Sequence, residues 1–184
     1  EWMASMNLVE PEFVDMDERR AKLSDRLVAL GISMEIVKYP AHETVEEGKA
    51  LRGQMAGTFT KNLLVKDKKA RHFLLSFHED RVIDLKTLHR RIGGRGQVGF
   101  ASAGRVQDYL GVQPGALTPL GLISDTGHAV TPVIDAGLMG AEQLNFHPLI
   151  NTESTGLHPQ DLLRFIRACG HEPLIVDFDT PLPE

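Results

Sequence analysis

The sequence predicts a mixed α/β fold of the α+β type, in which helices surround a largely antiparallel sheet. Two observations support this prediction. Segments in which apolar and polar residues alternate, as in half-buried strands, are interspersed with segments that have the apolar period of a helix. Short polar turns, such as residues 66–70, join some of the alternating segments and favour antiparallel pairing. Hairpins with interspersed helices are typical of this fold class.

Helices are predicted where the helical period is bounded by an N-terminal cap and a C-terminal breaker. Thr44 and Glu47 form a capping box, Asp84 and Ser102 are N-caps, and Pro159 takes a first helical position. The predicted helices are residues 17–30, 44–55, 85–92, 103–110 and 159–168.

Strands are predicted where apolar and polar residues alternate. Residues 58–66 and 71–77 form a hairpin, and residues 120–124 and 129–134 form a second hairpin around Asp125-Thr-Gly127. The other predicted strands are residues 34–39, 97–101, 145–152 and 173–178.

Length and composition limit the class of protein. A chain of 184 residues favours a single domain over residues 1–184, with residues 1–7 set aside as an expression remnant or a disordered extension. No apolar run approaches the ~20 residues that a membrane-spanning helix needs, so we expect no membrane association. The single cysteine, Cys169, cannot form an internal disulfide, which favours a cytoplasmic location.

Known signatures of metal, cofactor and nucleophile sites are absent from the sequence. Eight histidines occur, but no HxH, HExxH or CxxC pair. The chain has no P-loop, no GxGxxG motif in a strand-to-helix setting and no GxSxG elbow. We therefore expect no metal, no cofactor and no protein nucleophile.

The predicted strand 145–152 carries unusual polar chemistry. By alternation, Asn145, His147, Leu149 and Asn151 share one face, so two amides and an imidazole lie close together. This pattern is typical of a functional site, but it also fits buried polar groups that are satisfied within the fold, or an edge next to Pro148.

Two further features can bind an anion. Lys61 shares a predicted buried face with Phe59 and Leu63, and a buried cation needs an anionic partner unless its chain reaches solvent. The loop Gly115-Ala-Leu-Thr-Pro119 can aim backbone N–H groups at an oxyanion, although a plain helix-to-strand turn would have a similar composition.

A basic stretch lies in the centre of an acidic chain whose net charge is −5. A local basic surface on an acidic protein suits a partner with phosphates and a defined docking mode, although such runs are also common on solvated faces. The predicted phosphate-binding residues are Lys66, Lys68, Lys69, Arg90, Arg91 and Arg95.

In order and spacing, these motifs resemble the YbaK-like family of aminoacyl-tRNA deacylases over about residues 17–179. The matching segments are Tyr39-Pro-x-His42, Thr44-Val-Glu-Glu47, Thr60-Lys-Asn-Leu63, Lys66-Asp-Lys-Lys69, Gly115-x-x-x-Pro119 and Asn145-Phe-His-Pro-Leu-x-Asn-Thr152. The stretch Asn145-Phe-His-Pro148 is most similar to the ProX-type branch, whose members hydrolyse alanine wrongly attached to proline tRNA.

The resemblance implies a mixed sheet, partly closed like a barrel, and hydrolysis of alanyl-tRNA(Pro) in translation quality control. We predict catalytic roles for Lys61 and His147. The predicted substrate-binding residues are Asn62, Gly115, Ala116, Pro119 and Asn151. The expected partners are the acceptor stem of the tRNA, bound by the basic stretch, and prolyl-tRNA synthetase; no DNA is expected.

The sequence is also compatible with three other functions. The same family includes deacylases of other small aminoacyl-tRNAs, such as cysteinyl- or seryl-tRNA, and the residues that line the pocket decide between them. A non-catalytic tRNA-binding module could retain the fold. A small-molecule esterase or amidase is disfavoured because the sequence shows no nucleophile.

Overall fold

The computed structural model describes residues 18–38, 44–52 and 55–184. Its helices are α1 (18–29), α2 (Val45–Arg52), α3 (Leu88–Ile92), α4 (Ala103–Leu110) and α5 (Pro159–Ala168). Its strands are β1 (Ile36–Lys38), β2 (Thr58–Lys66), β3 (His72–His78), β4 (Gly99–Phe100), β5 (Val130–Asp135), β6 (Leu144–Phe146), β7 (Glu153–Leu157) and β8 (Leu174–Val176). Short 3-10 helices cover Pro114–Ala116, Pro119–Ser124 and Ala136–Leu138.

The strands form one eight-stranded sheet in the order β1-β7-β6-β2-β3-β5-β8, with β4 paired to β2. The pairs β1–β7, β6–β7, β2–β3 and β2–β4 are antiparallel, whereas β2–β6, β3–β5 and β5–β8 are parallel. Within the described residues the end strands β1 and β8 do not pair with each other, so the sheet remains open. The predicted mixed, mostly antiparallel sheet with surrounding helices is confirmed.

The central strands β2 and β3 separate two hydrophobic cores. Alternate residues of each strand point to opposite faces, so Leu64 and Leu74 pack in the larger core while Val65 and Leu75 pack in the smaller one. The larger core also receives side chains from α1, α4 and α5. Because both faces of this hairpin are covered, its position within the fold is strongly constrained.

The capping signals at Thr44 and Ser102 are confirmed by the structure, but the predicted N-cap Asp84 is wrong, because α3 begins only at Leu88 and Asp84 accepts from Lys86 and Thr87 in the turn before it. The hydroxyl of Thr44 accepts a hydrogen bond from the backbone N–H of Glu47 at 3.1 Å, and the Glu47 carboxylate accepts one from the Thr44 N–H at 3.4 Å. Ser102 likewise caps α4 by accepting from the N–H of Arg105 at 3.2 Å. Tyr39 and His42, which contribute to the family resemblance, lie outside the described residues.

The predicted hairpin around Asp125-Thr-Gly127 is wrong. Residues 120–124 belong to the 3-10 helix Pro119–Ser124, in which Pro119 holds the first position and the Thr118 hydroxyl accepts from the Leu120 N–H at 3.2 Å. A short apolar run can be a buried helix or a buried strand, and alternation alone does not separate the two. β5 instead pairs in parallel with β3 and β8.

None of the helices in the described part of the chain is long and apolar enough to cross a bilayer.

Candidate functional site

One edge of β2 has an opening between two neighbouring strands. β6 pairs with Thr58 and Phe59 at the start of β2, and β4 pairs with Val65 and Lys66 at its end. The registers leave residues 60–64 without a paired strand on this edge, while β3 pairs with the opposite edge. Strand edges expose backbone donors and acceptors that can bind another molecule. We call this feature the β2 opening.

Lys61 lies at the β2 opening and is exposed. Its predicted burial is therefore wrong, although it shares a face with Leu63 and Val65, which pack in the smaller core. Among the described residues, no side chain forms a hydrogen bond or ion pair with Lys61. Most arginines of the described chain, by contrast, bind a carboxylate or a carbonyl. The Lys61 ammonium is available to an external anion.

A line of polar side chains connects Asn62 to β6. The Asn62 Oδ1 accepts from the hydroxyl of Ser76 at 2.6 Å, and its Nδ2 donates to the Thr60 hydroxyl oxygen at 3.4 Å. The Thr60 hydroxyl in turn donates to the backbone carbonyl of Asn145 at 2.9 Å. Ser76 and Asn145 are buried, so these bonds hold the floor of the opening in one geometry.

Ser76 and Thr60 were not among the predicted site residues. Ser76 lies opposite Asn62 in the β2–β3 register and is 1% exposed. A buried hydroxyl inside the apolar strand 72–78 is a signal that the sequence offers, because buried polar groups require partners. The partner itself can be identified only from the strand register.

Residues 145–152 do not form one strand. The prediction that Asn145, His147, Leu149 and Asn151 share one strand face is therefore wrong. β6 ends at Phe146, and Leu149 adopts a left-handed conformation with φ of 73°. Such a conformation is rare for leucine and is found where the surrounding structure requires it. Leu149 is 1% exposed and packs in the larger core, so the strand alternation does not continue from His147 to Asn151.

His147 is half-buried, and its Nδ1 lies 2.9 Å from the backbone carbonyl of Glu153. A carbonyl oxygen only accepts hydrogen bonds, so Nδ1 carries the proton of this contact. In the neutral ring, Nε2 is then the nitrogen with the lone pair. This tautomer fits a residue that orients or activates water.

Gly115 and Asn151 meet in space, although 36 positions separate them in the sequence. A Cβ atom at Gly115 would lie 3.6 Å from the Asn151 Nδ2. Gly115 is exposed at the start of a 3-10 helix, where its N–H has no acceptor within the helix. The Ala116 N–H is already bound to the Gln113 carbonyl at 2.9 Å. Of these two, the Gly115 N–H is the donor that can bind a ligand.

Ala116 and Pro119 are both buried, and Ala116 packs in the larger core. Neither side chain can contact a ligand at the surface without a rearrangement. Their contribution to the site is to fix the backbone of the loop around Gly115.

The basic surface is formed by Lys66, Lys68, Lys69 and Arg95, all exposed. Their side chains form no ion pair with a carboxylate among the described residues. The carboxylate of Asp67 organises their backbone instead, because it accepts from the N–H groups of Lys69 and Arg95, each at 2.9 Å. The four cations are therefore held close together and are available for phosphates.

Arg90 and Arg91 are bound within the chain. The Arg91 guanidinium donates to the carbonyls of Asp177 and Thr180 at 3.0 and 2.9 Å, and the Arg90 guanidinium donates to the carbonyl of Pro183. These bonds attach the C-terminal segment to α3. The predicted tRNA contacts of these two arginines would have to use their remaining donors.

Asp67 gives a prediction for acid stability. Burial raises the pKa of this carboxyl, but hydrogen bonds from the backbone N–H groups of Arg95 and Arg71, from the Arg71 guanidinium and from the Lys69 N–H outweigh burial and lower the pKa to about 2. Because the folded-state pKa lies below the unfolded-state value, this group stabilises the fold above pH ~4 and loses that effect as the pH falls towards 2.

We expect the Asp67 carboxylate to contribute about 2 kcal/mol to the pH dependence of unfolding. Asp67→Asn should therefore show a smaller loss of stability than the native chain between pH 6 and pH 2, measured by urea unfolding. Asp108→Asn is the matched control, because Asp108 is exposed on α4. Equal pH profiles for the native chain and Asp67→Asn would contradict this role.

Two other features bear on the chemistry. No group of three or more His, Cys, Asp or Glu side chains in the described residues is arranged to hold a metal ion. Burial raises the pKa of the Cys169 thiol to about 11, with Arg26 acting in the opposite direction. The thiol is therefore protonated at neutral pH and is a poor nucleophile.

Comparisons with known proteins agree with the resemblance seen in the sequence. The model of the family described as the aminoacyl-tRNA editing domain matches residues 39–165. The chain is 39% identical over 166 residues to prolyl-tRNA synthetase associated domain-containing protein 1 of Mus musculus, covering 88% of this chain and 98% of that protein. It is 33% identical over 159 residues to the prolyl-tRNA editing protein ProX of Acetoanaerobium sticklandii, covering 86% of this chain and 96% of that protein.

A solved structure shares the fold. The crystal structure of a candidate trans-editing enzyme for prolyl tRNA synthetase matches with a TM-score of 0.65 and 20% sequence identity, covering 86% of this chain and 96% of that chain. The arrangement of strands and helices described above is therefore one found in other proteins.

Proposed function

Because this chain belongs to the aminoacyl-tRNA editing domain family, we propose that it hydrolyses the ester between a small amino acid and the terminal ribose of a mischarged tRNA. The proposed substrate is alanine attached to proline tRNA, removed after the tRNA has left prolyl-tRNA synthetase. The observation that carries the proposal is Lys61, an exposed cation with no partner among the described residues, at the β2 opening.

The reaction requires positioning and charge stabilisation more than a protein nucleophile. An aminoacyl ester is already activated, so a correctly placed water can attack it when the developing oxyanion is stabilised. The protonated thiol of Cys169 fits this scheme, because it offers no thiolate for a covalent intermediate.

We propose a role for each donor from its chemistry. Lys61 binds the terminal phosphate or the developing negative charge, and the N–H of Gly115 donates to the oxyanion. His147, whose ring orientation is held by the contact of Nδ1 with the Glu153 carbonyl, orients the attacking water. Asn151 lies against Gly115 and can bind the substrate amine or ester.

Asn62 acts as a positioning residue in this scheme. Its amide is bound to Ser76 and Thr60, so its main effect is to hold Lys61 and the β2 opening in place. Removing the amide would also leave the buried hydroxyl of Ser76 without its acceptor, which costs about 1–3 kcal/mol.

Selection against the correct amino acid follows from size. A synthetase pocket that accepts proline cannot exclude alanine strongly, because missing methylenes cost only about 1–3 kcal/mol of binding. A second, smaller pocket can exclude proline and hydrolyse what enters it. The proposed enzyme provides this second pocket. It acts in the same compartment in which the tRNA is charged.

A panel of tRNA(Pro) charged with alanine, serine, cysteine or proline tests the proposal. We expect the alanyl ester to be hydrolysed fastest and the prolyl ester to remain at the rate of spontaneous hydrolysis, because proline does not fit. Release of the labelled amino acid measures the rate under single-turnover conditions. Faster hydrolysis of the seryl or cysteinyl ester would show that alanine is not the preferred amino acid. Binding of tRNA without cleavage of any ester would show that the protein is a non-catalytic tRNA-binding module.

A further inference from the structure

Phe100 is an aromatic ring exposed on the two-residue strand β4. It is 61% exposed, whereas phenylalanine is among the residues most often buried. Val65, its partner in the β2–β4 register, is fully buried, so β4 places one ring outside the smaller core while the neighbouring strand remains inside it. The ring is too exposed to contribute much to the packing of the core.

The charge around Phe100 indicates what can cover it. Gly99 pairs with Lys66, and a surface hollow of about 260 Å³ next to it is lined in part by Lys66 and Lys68. Lys69 and Arg95 complete the basic surface defined above. Lys66 points to the opposite face of the sheet from Phe100, but Lys61 lies on the same face and the turn with Lys68 and Lys69 follows the end of β2. Proteins bind single-stranded nucleic acid with an exposed aromatic ring that stacks on a base and nearby cations that contact phosphates.

Phe100 also faces the same side of the sheet as Lys61. Paired residues of antiparallel strands point to the same face of the sheet, so the side chain of Phe100 is on the same face as that of Val65. Because alternate residues of a strand share a face, Lys61 is on this face as well. Lys61 and Val65 are four positions apart in β2, which is about 13 Å at ~3.3 Å per residue. A few unpaired nucleotides can span this distance.

We propose that Phe100 is a stacking platform for an unpaired base at the 3′ end of the RNA substrate, while Lys68, in the turn that follows β2, contacts the adjoining phosphate. This inference rests on the proposed function, because it places the ester at Lys61 and the preceding nucleotides along β4. It adds a binding residue that none of the sequence motifs contains, and it explains why an aromatic ring is exposed beside the basic surface.

Tryptophan fluorescence tests the stacking directly. Trp2 is the single tryptophan of the chain, so Phe100→Trp in a Trp2→Phe background reports on position 100 alone. Titration with a short single-stranded RNA ending in CCA should quench this fluorescence, since a stacked base contacts the indole. The matched control is Val82→Trp in the same background, because Val82 is 93% exposed at the other end of the β2–β3 hairpin.

The inference is overturned if the RNA quenches the fluorescence of the tryptophan at position 100 no more than that of the tryptophan at position 82. Phe100 would then not stack on a base of the RNA. Titration does not depend on hydrolysis, so it can succeed even if the panel of charged tRNAs shows no enzyme activity. Conversely, ester hydrolysis without quenching would retain the proposed function and remove this inference.

Kinetics give the second measurement. Base stacking on an aromatic side chain makes about a tenfold difference in affinity, so Phe100→Ala should raise KM for the charged RNA about tenfold with kcat within about twofold. Phe100→Tyr keeps the aromatic face and should restore KM. An unchanged KM in Phe100→Ala, or no rescue by tyrosine, would contradict stacking.

Discussion

Lys61→Ala is expected to lower the single-turnover rate of alanyl-tRNA(Pro) hydrolysis by about 10²- to 10³-fold, the effect of removing one donor from a developing oxyanion. Lys61 is exposed at the β2 opening, and in the described residues no carboxylate neutralises it. The loss should reside mainly in the rate at saturating substrate if the ammonium acts on the transition state, and mainly in KM if it anchors the phosphate. Rapid quench of the charged tRNA separates these two outcomes.

The same variant should remain folded. Substitutions of exposed residues without partners usually change the free energy of unfolding by less than about 0.5 kcal/mol. Lys86→Ala is the matched control, since Lys86 is also exposed but lies in the turn before α3, away from β2. Near-normal hydrolysis by Lys61→Ala, or an equal loss in Lys86→Ala, would remove Lys61 from the proposed site.

Asp125→Ala is expected to destabilise the fold by about 3 kcal/mol or more, because it removes the buried acceptor of three hydrogen bonds, each of which costs about 1–3 kcal/mol when it is lost. Asp125 is 3% exposed, and its carboxylate accepts from the N–H groups of Ala129 and Val130 at 3.0 and 2.9 Å. Its Oδ2 also lies 2.9 Å from the Nε2 of His171, another buried residue. The carboxylate thus joins the turn before β5 to the chain that follows α5.

The pKa of Asp125 agrees with this network. Burial raises the pKa of the carboxyl, but the hydrogen bond from His171 and those from the two N–H groups outweigh burial, so the pKa is lowered. Urea unfolding at pH 7 should show the loss of stability. Asp108→Ala is the control and should change stability by less than about 0.5 kcal/mol, because Asp108 is exposed. A cost below about 1 kcal/mol for Asp125→Ala would contradict the account of this network.

Local signals predicted much of the fold. The capping box of Thr44 and Glu47 and the N-cap Ser102 act within one helical turn, so they can be identified without tertiary contacts. The apolar run after Pro119 was assigned incorrectly because its 3-10 conformation depends on burial between α4 and α5. No local pattern in the sequence separates that outcome from a strand.

The sequence indicates which residues are candidates for the site, but it does not indicate how the fold arranges them. Lys61 was expected on a buried face, and alternation placed it correctly beside Leu63, but its exposure follows from the opening between β6 and β4. The register of three strands determines that opening, and the sequence does not show it. The left-handed Leu149, which ends the predicted strand, is likewise imposed by packing in the core.

The β2 opening also bears on how substrate choice can diverge among related proteins. Its borders, β6 at Phe59 and β4 at Val65, are separated by about 20 Å of one extended strand at ~3.3 Å per residue. Both borders are attached to that strand by backbone pairing, so a wider gap would require an insertion that also shifts the hairpin with β3. Under the proposed function, related proteins that act on a bulkier amino acid should therefore keep β2 at its present length and differ in the volume of the side chains around the gap.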